Sequence, residues 1–446
     1  MARRRKSLPP DPVPAHIDSL SHDGRGVAHL DGKAVFIDGA LPGEQVTFVY
    51  TGKHRSYDEG RVEAVLEPAP ERVLPRCSAA GVCGGCSLQH MHPEAQIEAK
   101  QGVLLDNLKR IGGVAPETVL PPLTGPVWGY RHKARLGVKY VRKKGELLVG
   151  FREKRKSYVA RIDNCEVLHP DVGYRLGDLA LLIESLSIRA AVPQIEVAVG
   201  DRVTALVFRV LEAPSESDLA SLRAFGQEYD MQIHLQPKGP DSITLLWPES
   251  AAAARTLSYD LDDHRVTLQF RPTDFTQINP RINQRMIARA LELLQPQADS
   301  RVLDLFCGLG NFTLPLARRV AQVTGVEGEA GLVARARENA RANGIDNAEF
   351  FTADLAGEVA TEPWLERDYD RVLLDPPRSG AKEMIPLIAA RGAQRIVYVS
   401  CHPGSLARDA GLLVNEYGYR LAAAGVMDMF PHTAHVESIA LFLAPE

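Results

Sequence analysis

The sequence has no long hydrophobic run: no stretch of about 18 apolar residues, the length that spans a membrane, occurs in the chain. The N-terminus has basic residues at positions 3–6 and prolines at 9 and 10, and it lacks the apolar core of a secretory signal. These absences argue against a membrane helix and a secretory leader. We therefore expect a cytoplasmic protein. We also expect it to act as a monomer.

Cysteine is scarce, with six residues in 446, but its distribution is uneven. Cys77, Cys83 and Cys86 form a cluster, and Cys165 follows in the same segment. In a reducing compartment, clustered thiols more often bind metal or take part in catalysis than form a disulfide framework. Four thiolates satisfy either tetrahedral zinc or an iron–sulfur cubane, and their spacing does not choose between the two.

The chain also has little net charge, −4 at neutral pH, so a nucleic-acid-binding surface would need an uneven charge distribution. Residues 131–161 contain 12 Lys or Arg residues and only two Glu residues. Trp128, Tyr130, Tyr140, Phe151 and Tyr158 are interleaved with these charges. This combination is typical of surfaces that follow a phosphate backbone and stack bases. A solvated basic face is the alternative.

The pattern of strands, helices and turns predicts three units, in line with the length of the chain. Residues 10–68 contain short β-type runs separated by glycines, which predicts an OB-like β-barrel that binds RNA or has a structural role only. Residues 75–268 are predicted to form a central α+β domain with the cysteine cluster and the basic surface. Residues 269–446 alternate helix and strand, which predicts a parallel, Rossmann-like α/β domain.

A glycine-bearing loop in the third unit predicts a nucleotide-type site. The run from Asp304 to Thr313 follows a predicted strand, and Glu327 ends the next strand, where such folds hold ribose hydroxyls. The loop lacks the third glycine typical of dinucleotide sites, and no Walker lysine follows it, so S-adenosylmethionine fits better than NAD or ATP. Asp354, after a further strand, could address the adenine. Either acid could instead cap a helix.

Cys401 and Glu437 could supply the thiol and the carboxylate that methylation of uracil C5 would require. Uracil C5 is a poor nucleophile until a thiolate adds to C6, and a base must afterwards remove the C5 proton. Cys401 follows a β-type run and could present its sulfur at the edge of a sheet. A buried, inert thiol is the alternative interpretation. Cys307 is a rival nucleophile, although a packing role explains it more simply.

Taken together, the motifs resemble those of the RNA (uracil-C5)-methyltransferases, and in particular the 23S ribosomal RNA enzymes with a TRAM domain and a 4Fe–4S cluster. The resemblance covers nearly the whole chain. Besides the barrel and the four cysteines, it rests on Asp274-Phe-Thr-Gln277-Ile-Asn279, Asp304-Leu-Phe-Cys-Gly-Leu-Gly-Asn311-Phe, Asp375-Pro-Pro-Arg378, Ser400-Cys401 and His435-Val-Glu437-Ser.

The resemblance implies a role for each of these positions. Cys401 would be the nucleophile and Glu437 the base. The cofactor-binding positions would be Gln277, Phe306, Asn311, Glu327, Asp354 and Asp375. Cys77, Cys83, Cys86 and Cys165 would hold an iron–sulfur cluster rather than zinc. The expected substrate is an unpaired uridine of 23S rRNA, which leaves its stack to reach the site.

One position departs from the family pattern: His402 stands where the family usually has asparagine after the nucleophile. An imidazole there could lower the pKa of the thiol or keep a hydrogen bond in the loop. Three other functions also fit parts of the sequence. They are a tRNA uracil-C5 methyltransferase, a methyltransferase acting on amino groups without a covalent step, and an RNA-binding iron–sulfur protein without catalysis.

Overall fold

The computed structural model describes residues 8–9, 11–357, 359 and 361–445. The basic residues at 3–6 and the predicted unit limits at 10 and 446 lie outside this part. Among the described residues, no helix is both long enough and apolar enough to cross a membrane.

The first sheet forms a small curled unit. Its strands are β1 (Val13–His16), β2 (Ser19–Leu20), β3 (Gly26–Leu30), β4 (Lys33–Asp38), β5 (Gln45–Lys53) and β6 (Tyr57–Glu67). They are hydrogen-bonded in the order β1-β5-β6-β4-β3-β2, and β1 also contacts β3, so the sheet bends around its own core. Alternate residues of β4 face this core, where Val35, Ile37 and Phe48 are buried.

A helix and a short strand follow the cysteine-rich loop. Helix α1 (Pro93–Asn107) continues into a π-helical turn, Leu108–Gly112, and β7 is Thr118–Val119. Although they precede the central sheet in the chain, α1 and the turn contact a helix of the C-terminal sheet, α9 (residues 403–415). The main chain of residues 117–123 runs along strand 420–427 of that sheet, with hydrogen bonds of 2.8–3.0 Å. Residues 93–123 precede the predicted boundary near residue 268 but pack on the C-terminal sheet. The boundary itself stays a prediction.

The central segment contains a mixed sheet with helices. Its strands are β8 (Lys133–Val141), β9 (Glu146–Gly150), β10 (Gln194–Val199), β11 (Thr204–Arg209), β12 (Met231–Gln236) and β13 (Thr244–Trp247). The order is β13-β12-β11-β10-β8-β9. The helices are α2 (Pro170–Gly173), α3 (Leu176–Ser185) and α4 (Glu216–Glu228). A hairpin of β14 (Ser258–Leu261) and β15 (Val266–Gln269) leads to the last unit.

An eight-stranded sheet dominates the C-terminal part. Its remaining strands are β16 (Arg301–Leu305), β17 (Gln322–Glu327), β18 (Ala348–Thr352), β19 (Arg371–Leu374), β20 (Arg395–Ser400), β21 (Arg420–Met427) and β22 (Glu437–Leu443). The order is β18-β17-β16-β19-β20-β22-β21-β7, and the first five strands are parallel. Every residue of β19 is buried, as expected for a parallel sheet covered on both faces.

The helices of this unit alternate with its strands, which confirms the predicted α/β pattern. They are α5 (Pro280–Leu294), α6 (Thr313–Ala317), α7 (Ala330–Ala342), α8 (Ile385–Ala389) and α9 (Pro403–Asn415). Helix α5 begins at Pro280. The reason is local: the Asn279 side chain accepts a hydrogen bond from the Ile282 N–H, and Pro280 occupies the first turn.

Candidate active site

The predicted site residues of the C-terminal unit lie mostly where strands end. Phe306, Asp375 and Cys401 directly follow β16, β19 and β20, and Glu327 is the last residue of β17. Because these strands are parallel, their carboxyl ends meet at one edge of the sheet, which is where open α/β sheets bind ligands. Glu437 begins β22, which is antiparallel to β20, so it belongs to the same edge.

The loop after β16 has the backbone of a ligand-binding turn. Phe306, Gly308 and Gly310 all have positive φ, of 65°, 54° and 91°. A phenylalanine in this region is strained and must be held by its surroundings. Glu327 helps to hold the loop, because its carboxylate accepts hydrogen bonds from the N–H groups of Gly308 (3.2 Å) and Glu329 (3.0 Å).

Asn311 is engaged in a side-chain network. Its amide oxygen accepts hydrogen bonds from the Asn283 amide (2.9 Å) and the Tyr259 hydroxyl (3.0 Å), and its own NH₂ donates to Asn283 (2.8 Å). Among the residues that the structure describes, the second amide N–H of Asn311 has no acceptor, which leaves it for a ligand. Asp354 is exposed and accepts a hydrogen bond from the Ala356 N–H (3.1 Å), which makes it a turn-capping residue in this structure.

Gln277 lies in a loop that neighbouring side chains hold in place. The Lys133 ammonium donates to the carbonyl oxygens of Pro272 (2.7 Å) and Asp274, and Arg335 pairs with the Asp274 carboxylate at 2.5 Å. Burial lowers the pKa of Lys133 to about 8. Gln277 itself is half-buried between these anchors and α5.

Cys401 and Glu437 are neighbours across two strands. Ser400 pairs with Ser438 in the antiparallel ladder, so the next residue of one strand and the preceding residue of the other stand opposite each other. Burial raises the pKa of Cys401 to about 11, the negative charges of Glu437 and Asp375 contribute to the rise, and Arg378 opposes them. Burial and Asp375 also hold the pKa of Glu437 well above its usual range, whereas Lys100 and Arg378 lower it.

Asp375 shares this environment. Burial raises its pKa to about 7, and the charge of Glu327 adds to the effect. Asp304, buried beneath the same edge, also has its pKa raised to about 7 by burial, and its carboxylate accepts a hydrogen bond from the Thr313 hydroxyl at 2.5 Å. Such raised values are typical of functional sites, because acids and bases there work near neutral pH.

His402 caps helix α9. Its Nδ1 accepts a hydrogen bond from the Ser405 N–H at 3.1 Å, and its φ of −146° is that of an extended N-cap residue. An asparagine oxygen at this position would accept the same bond. Of the two roles that the sequence left open for His402, the structure therefore shows the hydrogen bond in the loop.

The two candidate thiols differ in access. Cys401 lines a groove of about 780 Å³, together with His402, Arg378 and His435. Cys307 is buried, and burial and the nearby Asp304 raise its pKa well above the usual range. A thiol that is enclosed and hard to ionise is a poor nucleophile.

The groove also connects Cys401 to the first and central units. His22 and Asp38 of the N-terminal curled unit line it, and so do Arg131, Arg152, Lys154 and Arg155 of the basic segment. The Arg131 guanidinium stacks on the Phe151 ring, 4.9 Å from its centroid. Other basic side chains of residues 131–161 form ion pairs on the protein, such as Arg135 with Glu196 at 2.8 Å.

Cys77, Cys83, Cys86 and Cys165 line one small cavity beside Phe151. Burial raises the pKa of Cys86 to about 12 and that of Cys165 to about 11, and neighbouring thiols of the group raise both values further. Thiols placed together in this way need a cation if they are to ionise. In the part of the chain that the structure describes, however, no group of three or more His, Cys, Asp or Glu side chains is placed to hold a single metal ion.

Two charged contacts lie beside the site, and only the residues of the first lie outside every motif of the sequence. Lys100 of α1 pairs with Asp428 at 2.7 Å, and Arg378 donates a hydrogen bond to His435 Nδ1 at 3.0 Å. The partners of each pair are far apart in the chain, so periodicity and spacing give no hint of them. The Asp-Pro-Pro-Arg and His-Val-Glu motifs singled out the neighbourhood of the second pair only.

The sheet order, the glycine-bearing loop after β16 and the acidic strand ends define an S-adenosylmethionine-dependent methyltransferase domain. The family model described as tRNA (Uracil-5-)-methyltransferase matches residues 201–444, and the TRAM domain model matches residues 12–48. The chain therefore belongs to the RNA uracil-C5 methyltransferase family and carries an N-terminal TRAM domain, as its sequence indicated.

Relatives of known name agree with this family. The chain is 55% identical over 439 residues to the 23S rRNA (uracil(1939)-C(5))-methyltransferase RlmD of Methylococcus capsulatus, with 98% of each chain covered. It is 56% identical over 442 residues to the enzyme of the same name from Alkalilimnicola ehrlichii, with 99% of each covered. Among solved structures, it is similar to the Pyrococcus abyssi tRNA (uracil-54, C5)-methyltransferase in complex with S-adenosyl-L-homocysteine. There the TM-score is 0.73, the identity 25% and the coverage 97% of this chain and 100% of that one.

Proposed function

We propose that this chain methylates C5 of uracil 1939 in 23S rRNA, with Cys401 as the nucleophile and Glu437 as the base. The observation that carries the proposal is the placement of Cys401 opposite Glu437, at the sheet edge that also holds the cofactor loop. The names of the relatives with more than half of their residues identical support the choice of 23S rRNA.

The reaction follows from the placement of these two groups. The Cys401 thiol gives up its proton to water, its sulfur bonds to C6 of the uracil, and the C5=C6 electron pair moves to C5. Bound S-adenosylmethionine would supply the methyl group that C5 takes up, leaving S-adenosylhomocysteine. Glu437 removes the C5 proton, the C5=C6 bond re-forms, and the C6–S bond breaks to release the thiolate.

The cofactor would lie along the edge formed by Phe306, Glu327 and Asp375. Glu327 is placed for ribose hydroxyls, since it stands at the end of the second strand and still has free carboxylate lone pairs. Asp354, after the third strand, would reach the adenine. Gln277 and the remaining amide N–H of Asn311 would hold the amino-acid end.

The four cysteines would hold a 4Fe–4S cluster with a structural role. The donor set fits, because four thiols line one cavity and iron–sulfur clusters are bound by thiolates. Iron and acid-labile sulfide in protein purified without oxygen would support this assignment. One equivalent of zinc with no sulfide would contradict it.

The substrate would be an unpaired uridine that enters the basic groove and leaves its stack. The protein would bind it as a monomer, which sedimentation of the purified enzyme would test.

The function is tested by methyl transfer from labelled S-adenosylmethionine to two substrates: a 23S rRNA fragment that contains uracil 1939, and bulk tRNA. We expect label only in the rRNA fragment, at that uracil, and none with Cys401→Ala. Label in tRNA alone would favour methylation of tRNA, the activity named in the family model and in the solved structure. Full activity of Cys401→Ala would contradict the covalent mechanism.

A further inference from the structure

A buried ion pair joins the cysteine-bearing half of the chain to the catalytic strands. The Lys100 ammonium of α1 lies 2.7 Å from a carboxylate oxygen of Asp428 and also donates to the Phe430 carbonyl at 3.0 Å. Both side chains are only 3% exposed. Burying two charges is unfavourable unless close geometry and further hydrogen bonds compensate for the lost hydration. A buried ion pair of this kind contributes little to stability by itself, so we considered what its charge does for the residues around it.

The pair lies beside the proposed base. Asp428 directly follows Met427, and Met427 pairs with Glu437 in the β21–β22 ladder. The Lys100 charge therefore acts on Glu437 through protein rather than through bulk water, where it would be weakened. It lowers the pKa of Glu437, against burial and the charge of Asp375, which raise it.

The other charged and titratable groups around Glu437 cannot replace Lys100. Arg378 also lowers the pKa of Glu437, but its side chain is exposed and bound to His435, so water screens it. Asp375 carries the same sign of charge as Glu437, and the Cys401 thiol carries no positive charge in either form. Asp428 offsets part of the Lys100 charge.

Helix α1 is also fixed to the same loop by a neutral contact. The Gln96 oxygen accepts a hydrogen bond from the His432 N–H at 2.8 Å, and the Gln96 NH₂ donates to the Met91 carbonyl at 2.7 Å. The position of Lys100 relative to β21 is therefore set by several buried contacts and not by the ion pair alone.

We propose that Lys100 is a positioning residue for catalysis: it holds the segment after β21 through Asp428 and supplies the buried positive charge that keeps Glu437 able to accept the C5 proton. This proposal rests on the role proposed above for Glu437. The step that it affects comes after methyl transfer, when the C5–H bond breaks, the proton passes to the Glu437 carboxylate, and the Cys401 sulfur leaves C6.

Replacing Lys100 with methionine keeps much of the side-chain volume and removes the charge. In single-turnover reactions with unmodified rRNA fragment and S-adenosylmethionine, we expect Lys100→Met to accumulate a covalent protein–RNA complex, visible on a denaturing gel. The acidic limb of its pH–rate profile should move to higher pH by about one unit, which is about tenfold in rate on that limb. Lys100→Arg should restore most of the wild-type behaviour.

Asp428→Asn is the matched variant, because it removes the carboxylate that opposes the effect of burial on the pKa of Lys100 and so keeps Lys100 charged. Its acidic limb should also move to higher pH, as in Lys100→Met. The proposal would be overturned if the rate of both variants fell by the same factor at every pH and no covalent complex accumulated. Such a result would show a structural role only. Thermal unfolding and cofactor binding by calorimetry establish that each variant is folded.

Glu437→Gln separates a failure of this inference from a failure of the proposed function. If Glu437→Gln accumulates the complex and Lys100→Met does not, the role of Lys100 is wrong and the base stands. If Glu437→Gln turns over at the wild-type rate, the proposed base itself is wrong.

Discussion

At the level of single residues, the cap of helix α9 depends on one acceptor atom, the Nδ1 of His402. His402 replaces the asparagine that the family usually has, yet its Nδ1 accepts the helix-capping bond that an asparagine oxygen would accept. The change preserves an acceptor at the right place.

This leads to a prediction for His402. His402→Asn should retain activity and stability, whereas His402→Ala should lower the free energy of unfolding by about 1 kcal/mol, the usual cost of losing an N-cap. Urea unfolding of the wild-type protein and the two variants measures the difference. Equal stability of the alanine and asparagine variants would contradict the capping role.

The high pKa of Cys401 predicts how the free enzyme reacts with iodoacetamide. Because the thiolate is the reactive form and the pKa is about 11, alkylation should rise about tenfold per pH unit from pH 7 to 9, with no plateau. Arg378→Gln removes a charge that lowers this pKa, so alkylation should be slower. Mass spectrometry of the Cys401 peptide follows the reaction, and buried Cys307 should stay unmodified. A plateau near pH 8 would show that the thiol is already activated without RNA.

At the scale of elements, one close approach fixes α1 and its π-helical turn on α9. A Cβ at Gly112 would come within 2.4 Å of the Ala407 carbonyl oxygen, which belongs to α9 and has little room to move. Gly112→Ala should therefore destabilise the protein by about 1–3 kcal/mol. Gly102→Ala, in α1 with open space around it, should stabilise by about 0.5–1 kcal/mol. Opposite signs in thermal unfolding would confirm the packing, and a stable Gly112→Ala would contradict it.

The same elements show what the sequence could predict. Strands such as Arg371–Leu374 and Arg395–Ser400 were recognisable because buried parallel strands are short, continuous apolar runs. The two-residue strand Thr118–Val119 was not, because its partner strand lies about 300 residues later and two residues carry no periodicity. Cys401 and Glu437 could be proposed because each lies in a short motif. Lys100 and Asp428 could not, because they lie in no motif and meet only through the fold.

At the scale of the whole molecule, the groove combines surfaces from all three predicted units around Cys401. Side chains of the TRAM domain, the basic segment and the catalytic sheet line it. A substrate held in this groove would contact each unit at once. This placement explains how a chain with a net charge of −4 can bind RNA.

The groove predicts a salt effect. Arg152→Ala and Arg155→Ala should each weaken binding of the rRNA fragment, and each should reduce the slope of log affinity against log salt by about one for each phosphate that the arginine neutralises. Arg420, which pairs with Glu117 away from the groove, is the control, and its alanine variant should bind normally. Fluorescence anisotropy at several salt concentrations gives the slopes. Unchanged slopes in the groove variants would place the RNA elsewhere.

In the proposed reaction, Cys401 forms a bond to C6 of the target uracil and Glu437 then removes a proton from C5. An rRNA fragment with 5-fluorouridine at the target position traps this intermediate, because fluorine at C5 cannot be removed as a proton. After incubation with S-adenosylmethionine and denaturing electrophoresis, we expect a stable protein–RNA complex that is absent with Cys401→Ala. No complex with the wild-type protein, or an equal amount with Cys401→Ala, would contradict the proposed reaction.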